Sequence, residues 1–163
     1  MELRLEKSGP APPEDCAALF YGSAIYERYF QGGDRLERAL CRAAERGELY
    51  LARTDTGELA GAMRVVMDGF CGLYPYLCLI GVGEAYRSRG VGSFLMDRLE
   101  EMGRAAGARR VSLMVSDFNT GAQAFYRRRG YWLLGDLPDG ARPGITERVM
   151  LKDLTPPQGK PRG

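Results

Sequence analysis

One stretch limits the folds open to this chain more than any other. An apolar run, Leu77–Val82, leads to the segment Arg87-Ser88-Arg89-Gly90-Val91-Gly92. Apolar residues then recur at helical spacing, at Val91, Phe94, Leu95, Leu99, Met102 and Ala106. A short apolar run followed by this spacing predicts a strand, a tight glycine loop and the start of a helix.

The glycine loop is suited to binding an anion. The first N–H groups of a helix have no partner within the helix, and the helix dipole places partial positive charge there. Gly90 and Gly92 carry no side chain that would block a ligand, while Arg87 and Arg89 add positive charge. The loop can therefore hold a phosphate. The alternative is an ordinary strand-to-helix turn with solvated arginines.

Length and composition indicate one globular domain. A chain of 163 residues can bury a sizeable core. We expect the domain to span residues 1–154, followed by a flexible tail over residues 155–163 that is rich in proline and glycine. No apolar run is long enough to cross a bilayer, and the N-terminus lacks the apolar core of a signal peptide, so a cytoplasmic protein without membrane contact is expected.

The absence of histidine restricts the chemistry. The chain has no histidine, and its four cysteines lack the paired spacing of a zinc site, so no metal is expected. Serine–histidine and cysteine–histidine nucleophiles are excluded. Proton transfer would have to use carboxylates, tyrosine, cysteine, lysine or water.

The remaining patterns predict a mixed α+β fold. The apolar spacing from Cys16 to Ile25 predicts a first helix, and later patterns predict the order β-α-α-β-β-β-α-β-α-β-β. The expected architecture is a central sheet of about six or seven mostly antiparallel strands with about four helices. On the strand leading to the glycine loop, Tyr76 and Cys78 share parity with Ile80 and Val82.

Two motifs carry a resemblance to a known family. Arg87-Ser88-Arg89-Gly90-Val91-Gly92 has the pattern Arg or Gln, two residues, Gly, one residue, Gly or Ala. Asn119, Ala122, Phe125-Tyr126 and Gly130-Tyr131 follow at the spacing of a second motif. In both motifs the chain resembles the GNAT superfamily of acetyl-CoA-dependent N-acetyltransferases. The resemblance covers roughly residues 3–154.

The resemblance implies a fold and a set of roles. It implies a sheet that is splayed where acetyl-CoA binds, with the backbone of Ile80, Gly81 and Val82 bonded to the pantetheine arm. The segment Arg87, Ser88, Arg89, Gly90, Val91 and Gly92 would hold the pyrophosphate. Asn119 would contact the cofactor arm, and Tyr126 would be the general acid near the sulfur.

The sequence leaves the identity of the general base undecided. Glu84 follows the main strand and could take the amine proton through a water, or it could be a solvated loop charge. Glu147, on the last predicted strand, is another candidate. A substrate that is already partly deprotonated would need only a chain of water molecules.

The expected acceptor is an amine on a small molecule, peptide or protein, and family members often form homodimers. The first rival function is a nucleotide-binding oxidoreductase, but the third glycine of its fingerprint would fall at Tyr86. The second is a non-catalytic module that binds acetyl-CoA for regulation. Nucleic-acid binding through Arg127, Arg128 and Arg129 is disfavoured by a net charge of only +2.

Overall fold

The structure is a computed structural model that describes residues 1–154. The seven strands are β1 (Leu3–Lys7), β2 (Leu49–Thr54), β3 (Leu59–Phe70), β4 (Tyr74–Val82), β5 (Arg110–Ser116), β6 (Trp132–Leu137) and β7 (Glu147–Asp153). The α-helices are α1 (Arg35–Glu45), α2 (Val91–Ala105) and α3 (Thr120–Arg128). The tail predicted over residues 155–163 lies outside the described residues.

The strands form a sheet in the order β1-β2-β3-β4-β5-β7-β6. The pairs β1–β2, β2–β3, β5–β7 and β6–β7 are antiparallel. A mostly antiparallel sheet with helices confirms the predicted α+β class. The splay beside the cofactor and the single domain over residues 1–154 stay predictions.

The described chain divides into two compact units. The first consists of Met1–Val66 and Leu77–Leu99. Its core gathers one face of α1, where Leu36, Leu40 and Ala43 recur at helical spacing, around the fully buried Phe20. Burying such an apolar face is what stabilises a helix of this length.

The prediction of one continuous helix from Cys16 to Ile25 is wrong. The chain makes a 3₁₀ turn over Ala17–Phe20 and a π-helical turn over Tyr26–Phe30. Gly22 between them has φ +73°. The Ser23 hydroxyl donates to the Phe20 carbonyl and accepts from the Tyr26 N–H. A left-handed residue and a serine that bonds locally to the backbone both compete with a continuous α-helix.

The second unit consists of Met67–Tyr76 and the chain from Glu100 onward. Val111, Leu113 and Val115 of β5 are buried. Glu100, near the end of α2, lies in the same unit with only 5% of its side chain exposed. It accepts from Arg129 Nη2 at 3.2 Å, Tyr131 OH at 3.2 Å and Lys152 Nζ at 2.9 Å, so one carboxylate joins residues that are far apart in sequence.

Candidate functional site

The glycine loop of the first unit has the predicted geometry. Ser88 and Gly90 have φ +58° and +84°, and α2 begins at Val91. The Phe94 N–H bonds the Gly90 carbonyl at 2.9 Å, which closes the first helical turn. The N–H groups of residues 91–93 precede that bond, so they have no acceptor within the helix. A Cβ on Gly90 would meet nothing within 4 Å, so the loop is open to approach at Gly90 itself.

The end of β4 alternates between two environments. Leu77, Leu79 and Gly81 are buried, whereas Cys78, Ile80 and Val82 are half-buried. Cys78, Ile80 and Val82 therefore share one face, as their parity predicts, and Tyr76 has the same intermediate burial. Because successive side chains of a strand point to opposite faces, one face of this segment is buried and the other is partly exposed. The backbone of residues 80–82 therefore lies at the edge of the core.

Gly81 is required by close packing. A Cβ at this position would lie 2.5 Å from Cε1 and 2.7 Å from Cδ1 of Phe20. The ring of Phe20 therefore rests directly on the β4 backbone. The sequence around Gly81 predicts only a place in the cofactor segment, because nothing local to either residue indicates that Phe20 packs on it.

The Arg87 side chain has a structural task that the sequence did not reveal. Its Nη2 donates to the Tyr21 carbonyl at 2.7 Å, and its Nε donates to the Val82 carbonyl at 3.2 Å. The guanidinium thus joins the 3₁₀ turn region to the end of β4. Its positive charge lies at the start of the glycine loop, and its N–H groups donate to protein carbonyls.

Two other charged residues near this loop, Arg89 and Glu84, lie in different surroundings. Arg89 Nη1 donates to the Ala85 carbonyl at 3.3 Å, and its guanidinium lies 5.5 Å from the centre of the Tyr86 ring. Glu84 opens a 3₁₀ turn over Glu84–Tyr86 and is exposed. Its carboxylate therefore lies at the surface rather than in a dry pocket.

Burial disfavours Cys78 as a nucleophile. Desolvation raises the pKa of the Cys78 thiol; Arg64 nearby opposes that shift and Glu48 adds to it. Arg64 and Glu48 themselves form an ion pair at 3.1 Å. Since the thiolate is the reactive form, a raised pKa keeps this cysteine largely unreactive at neutral pH.

In the second unit, Asn119 begins α3. Its side-chain oxygen accepts from the Ala122 N–H at 3.4 Å, as expected of a capping asparagine. This bond uses the amide oxygen, and the amide nitrogen is a further donor. Gln123, one turn later, is buried and donates to the carbonyls of Ser116 and Asp117 at 2.9 and 3.1 Å, so α3 is attached to the end of β5.

Tyr126 lies on the buried face of α3. It is 6% exposed, and its ring centre is 5.8 Å from that of Tyr131 at an interplanar angle of 60°. Burial raises the pKa of Tyr126 well above its ordinary value. The phenol therefore stays protonated and can donate a hydrogen bond at any pH near neutrality.

A buried serine and a buried carboxylate face each other where β5 ends and β7 begins. Ser116 and Glu147 are paired in register, and both are buried. The Ser116 hydroxyl donates to the Glu147 carboxylate, with O–O distances of 2.8 and 3.1 Å to its two oxygens. Glu147 is a candidate base from the sequence, whereas Ser116 carries no sequence signal, since the register between distant strands is not visible in a single sequence.

Comparison with known proteins bears on this arrangement. The sequence profile of the acetyltransferase (GNAT) family matches residues 17–131. The match includes both the glycine loop at the start of α2 and the α3 motif with Asn119 and Tyr126.

The chain belongs to the GNAT family.

Individual relatives agree with that assignment. An acetyltransferase of Sodalis glossinidius is 33% identical over 84 residues, which are 52% of this chain and 57% of that protein. The crystal structure of a nourseothricin acetyltransferase is 32% identical with a TM-score of 0.57, and the match covers 66% of this chain and 65% of that one. The GNAT chain thus matches less than two thirds of the length of either relative.

A third comparison concerns the fold alone. A GNAT-family structure from Desulfovibrio desulfuricans has a TM-score of 0.73 over 94% of this chain and all of that chain, at 15% identity.

Within residues 1–154, no group of three or more His, Cys, Asp or Glu side chains is arranged to hold a metal ion. None of the helices that the structure describes has the length and apolarity to cross a membrane.

Proposed function

We propose that this GNAT protein transfers the acetyl group of acetyl-CoA to a primary amine. The observation that carries the proposal is the start of α2, where Gly90 has φ +84° and has no atom within 4 Å of the position that a Cβ would take. Backbone N–H groups at a helix start bind phosphate well because the helix dipole adds positive charge there. The pyrophosphate of the cofactor would bind to the backbone of residues 87–92.

The other cofactor contacts follow from polar backbone and side-chain groups. The pantetheine arm would bond the backbone of Ile80, Gly81 and Val82, at the half-buried end of β4. The Asn119 amide nitrogen would donate to the same arm while its oxygen caps α3. Arg87 and Arg89 would contribute mainly positive charge, because their side chains already bond protein carbonyls.

Direct attack by the amine is the mechanism that these residues support. Negative charge would develop on the thioester oxygen, where the Ile80 N–H could stabilise it. Tyr126 would then donate a hydrogen bond and a proton to the departing thiolate. Because burial raises the pKa of Tyr126, the hydrogen bond contributes more than complete proton transfer does. An acetyl-cysteine intermediate on Cys78 is disfavoured by the raised pKa of its thiol.

A base is needed for an amine that arrives protonated. Glu84 is one proposed base, since its exposed carboxylate could pass the proton to bulk water. The acceptor class is a primary amine on a small molecule or a peptide. Similarity to a nourseothricin acetyltransferase supports the first, and a 23% identical structure of Chaetomium thermophilum Naa20 with a bisubstrate analogue shares the fold.

The test combines acetyl-CoA binding with a panel of amines, with release of free thiol as the readout. The unsubstituted protein should be stabilised by acetyl-CoA and should release thiol with at least one amine. Tyr126→Phe should lower kcat by about 100-fold while acetyl-CoA affinity stays unchanged. Tyr50→Phe, a change on β2, serves as the matched control.

Three outcomes would contradict the proposal at different points. If acetyl-CoA does not stabilise the protein, the cofactor assignment fails. Stabilisation without thiol release from any amine would instead identify a non-catalytic binding module. Normal turnover by Tyr126→Phe would remove the tyrosine from the mechanism and leave the transferase assignment intact.

A further inference from the structure

An arginine of the glycine loop is held over a tyrosine ring. The guanidinium of Arg89 lies 5.5 Å from the centre of the Tyr86 ring, and Arg89 Nη1 donates to the Ala85 carbonyl at 3.3 Å. Arg89 stands between Ser88 and Gly90, the two residues of the loop with positive φ. An exposed arginine normally samples many rotamers, and these two contacts restrict it. The cation therefore has a preferred position beside the loop.

Tyr86 is itself held at both ends of its side chain. At the backbone, the Tyr86 N–H donates to the Gly83 carbonyl at 2.9 Å, next to the 3₁₀ turn over Glu84–Tyr86. At the tip, the Tyr86 hydroxyl donates to Glu58 Oε2 at 3.0 Å. Cδ2 of the ring lies 3.6 Å from the position that a Cβ on Gly83 would take. The half-buried ring thus has a defined orientation.

Glu58 belongs to a turn that is held by several hydrogen bonds. It directly precedes β3, in the connection from β2. Its carboxylate also accepts from the Thr56 hydroxyl at 3.1 Å, and its N–H donates to the Thr54 hydroxyl at 3.1 Å. The Thr54 N–H donates to the Glu58 carbonyl at 3.0 Å. The acceptor for the Tyr86 hydroxyl is therefore anchored within the first unit, which also contains the glycine loop.

The donors of Arg89 are only partly used. A guanidinium has five N–H donors in a planar fork that fits the oxygens of a phosphate group. Within residues 1–154, the structure gives the Arg89 side chain one hydrogen bond, from Nη1. The contact with the Tyr86 ring is a cation–π contact and consumes no N–H donor. Arg89 can therefore bind an anion while it stays over the ring.

We propose that Tyr86 is a positioning residue that holds Arg89 ready to bind a phosphate group of acetyl-CoA, with Glu58 fixing the tyrosine. The inference rests on the proposed acetyl transfer and deepens it, because it gives a role to a side chain outside residues 87–92. Ordering a side chain in advance lowers the entropy that binding costs. Tyr86 thus contributes to cofactor affinity and leaves the chemical step unchanged.

Tyr86 is a better test position than Glu58. The Glu58 carboxylate is negative, so its removal would strengthen the attraction of a nearby phosphate and loosen Tyr86 at the same time. These two effects on affinity have opposite signs. Tyrosine is uncharged near neutrality, and its substitution leaves the charge of the site unchanged.

A double-mutant cycle between Tyr86 and Arg89 gives the central test, with the dissociation constant of acetyl-CoA measured by calorimetry. Tyr86→Leu should raise that constant about three- to fivefold, as expected for the loss of an exposed cation–π contact. In the Arg89→Ala background, the same substitution should change it by less than about twofold, because no cation remains to be positioned. Equal effects in both backgrounds would overturn the proposal.

Ligand variants identify the phosphate. Acetyl-CoA carries a pyrophosphate and a ribose phosphate, acetyl-dephospho-CoA keeps only the pyrophosphate, and acetyl-pantetheine has neither. If Tyr86→Leu weakens binding of the first two ligands, Arg89 binds the pyrophosphate. If it weakens binding of acetyl-CoA alone, Arg89 binds the ribose phosphate. An equal effect on acetyl-pantetheine would contradict the proposal, since that ligand has no phosphate.

Tyr50 provides a matched control in the same unit. Lys7 Nζ lies 6.0 Å from the centre of the Tyr50 ring, and Tyr50 is half-buried like Tyr86. Tyr50→Leu removes a ring from beneath a cation outside the glycine loop, so the dissociation constant of acetyl-CoA should not change. A rise equal to that of Tyr86→Leu would show that any loss of packing in this unit weakens binding, and the assignment would fail.

Tyr86→Phe tests whether the ring or the hydroxyl matters more. It keeps the ring beneath Arg89 and loses only the bond to Glu58, so the dissociation constant should rise by no more than about twofold. A rise as large as that of Tyr86→Leu would overturn the role of the ring. If Tyr86→Leu does not fold, Tyr86→Met replaces it in the cycle, with the same expected result, because methionine adapts to irregular spaces.

Turnover separates this inference from the proposed function. Tyr86→Leu should raise KM for acetyl-CoA about three- to fivefold and leave kcat within about twofold. A large fall in kcat would contradict a positioning role. If acetyl-CoA does not bind the unsubstituted protein, the proposed function fails and the inference fails with it. Normal binding without coupling between Tyr86 and Arg89 contradicts the inference alone.

Discussion

Tyr126 and Tyr131 show how burial tunes single residues in this protein. Desolvation is the main cause that raises the pKa of each phenol, and for Tyr131 the neighbouring Glu100 adds to it. Both groups are therefore neutral at any pH near neutrality. In the mechanism proposed above, a neutral Tyr126 would donate a hydrogen bond to the thiolate rather than carry negative charge.

The raised pKa values predict a loss of stability in alkali. Each tyrosine ionises at about pH 10 in the unfolded chain and higher in the folded one. Its stabilising contribution is complete below about pH 10 and is lost as pH rises toward the folded pKa. Urea unfolding should show the free energy of unfolding falling by about 1.4 kcal/mol per pH unit for each tyrosine in that range.

Tyrosine-to-phenylalanine variants can show whether Tyr126 and Tyr131 cause this loss of stability. Tyr126→Phe and Tyr131→Phe combined should flatten the decline, whereas Tyr21→Phe, at a site 46% exposed, should not. A decline that persists in the double variant would mean that other groups cause it.

At the level of elements, the connection between β4 and α2 depends on one glycine conformation and one close contact. Gly90 needs a positive φ to turn the chain into the helix, and Gly81 needs the absence of a Cβ to accept Phe20. The first requirement is local, and the second comes from a different part of the first unit.

Gly90→Ala should weaken acetyl-CoA binding more than it weakens the fold. The left-handed backbone would cost about 1–2 kcal/mol in stability. The new methyl group would stand where the phosphate is proposed to bind, and the dissociation constant should rise at least about tenfold. Calorimetric titration with acetyl-CoA measures the effect.

Gly107→Ala is the matched control for that change. Gly107 has φ +74°, and a Cβ there also meets nothing within 4 Å, but it lies after the opposite end of α2. It should show the same loss of stability with normal acetyl-CoA affinity. Equal affinities in the two variants would remove Gly90 from the cofactor site.

Gly81→Ala should disturb the strand through Phe20. The added methyl would overlap the ring, and such overpacking costs about 1–3 kcal/mol. Phe20→Leu in the same chain should recover part of the loss because the smaller side chain leaves room. Thermal melting of the single and double variants gives the comparison, and a double variant that is no more stable than Gly81→Ala would contradict the contact.

At the scale of the whole molecule, charged residues distant in sequence meet at one buried carboxylate. Glu100 accepts from Arg129, Tyr131 and Lys152, which come from three later positions in the chain. The network lies wholly within the second unit. Removing one partner of a buried pair leaves uncompensated charge, which is far costlier than losing a surface pair.

Glu100→Ala should therefore destabilise the protein by about 3–5 kcal/mol in urea unfolding. Asp34→Ala breaks the exposed Asp34–Arg38 pair, whose side chains are 72% and 63% exposed, and it should cost at most about 0.5 kcal/mol. Comparable effects of the two substitutions would show that Glu100 behaves as a surface charge.

The sequence alone determined the parts of this protein that local physics encodes. Glycine spacing and helical periodicity predicted the loop at residues 87–92 and the start of α2, and the same patterns predicted the α+β order. These features depend on backbone preferences and apolar spacing within a few residues, so they can be read from a short window.

Only the tertiary structure decided which side chains meet. Arg87 bonds the Tyr21 carbonyl across 66 positions, and Ser116 bonds Glu147 across 31. The close approach of Phe20 to the backbone of Gly81 likewise joins residues 61 positions apart. Such contacts arise from strand order and register, which a local pattern does not contain, because many pairings of the same segments satisfy the same local preferences.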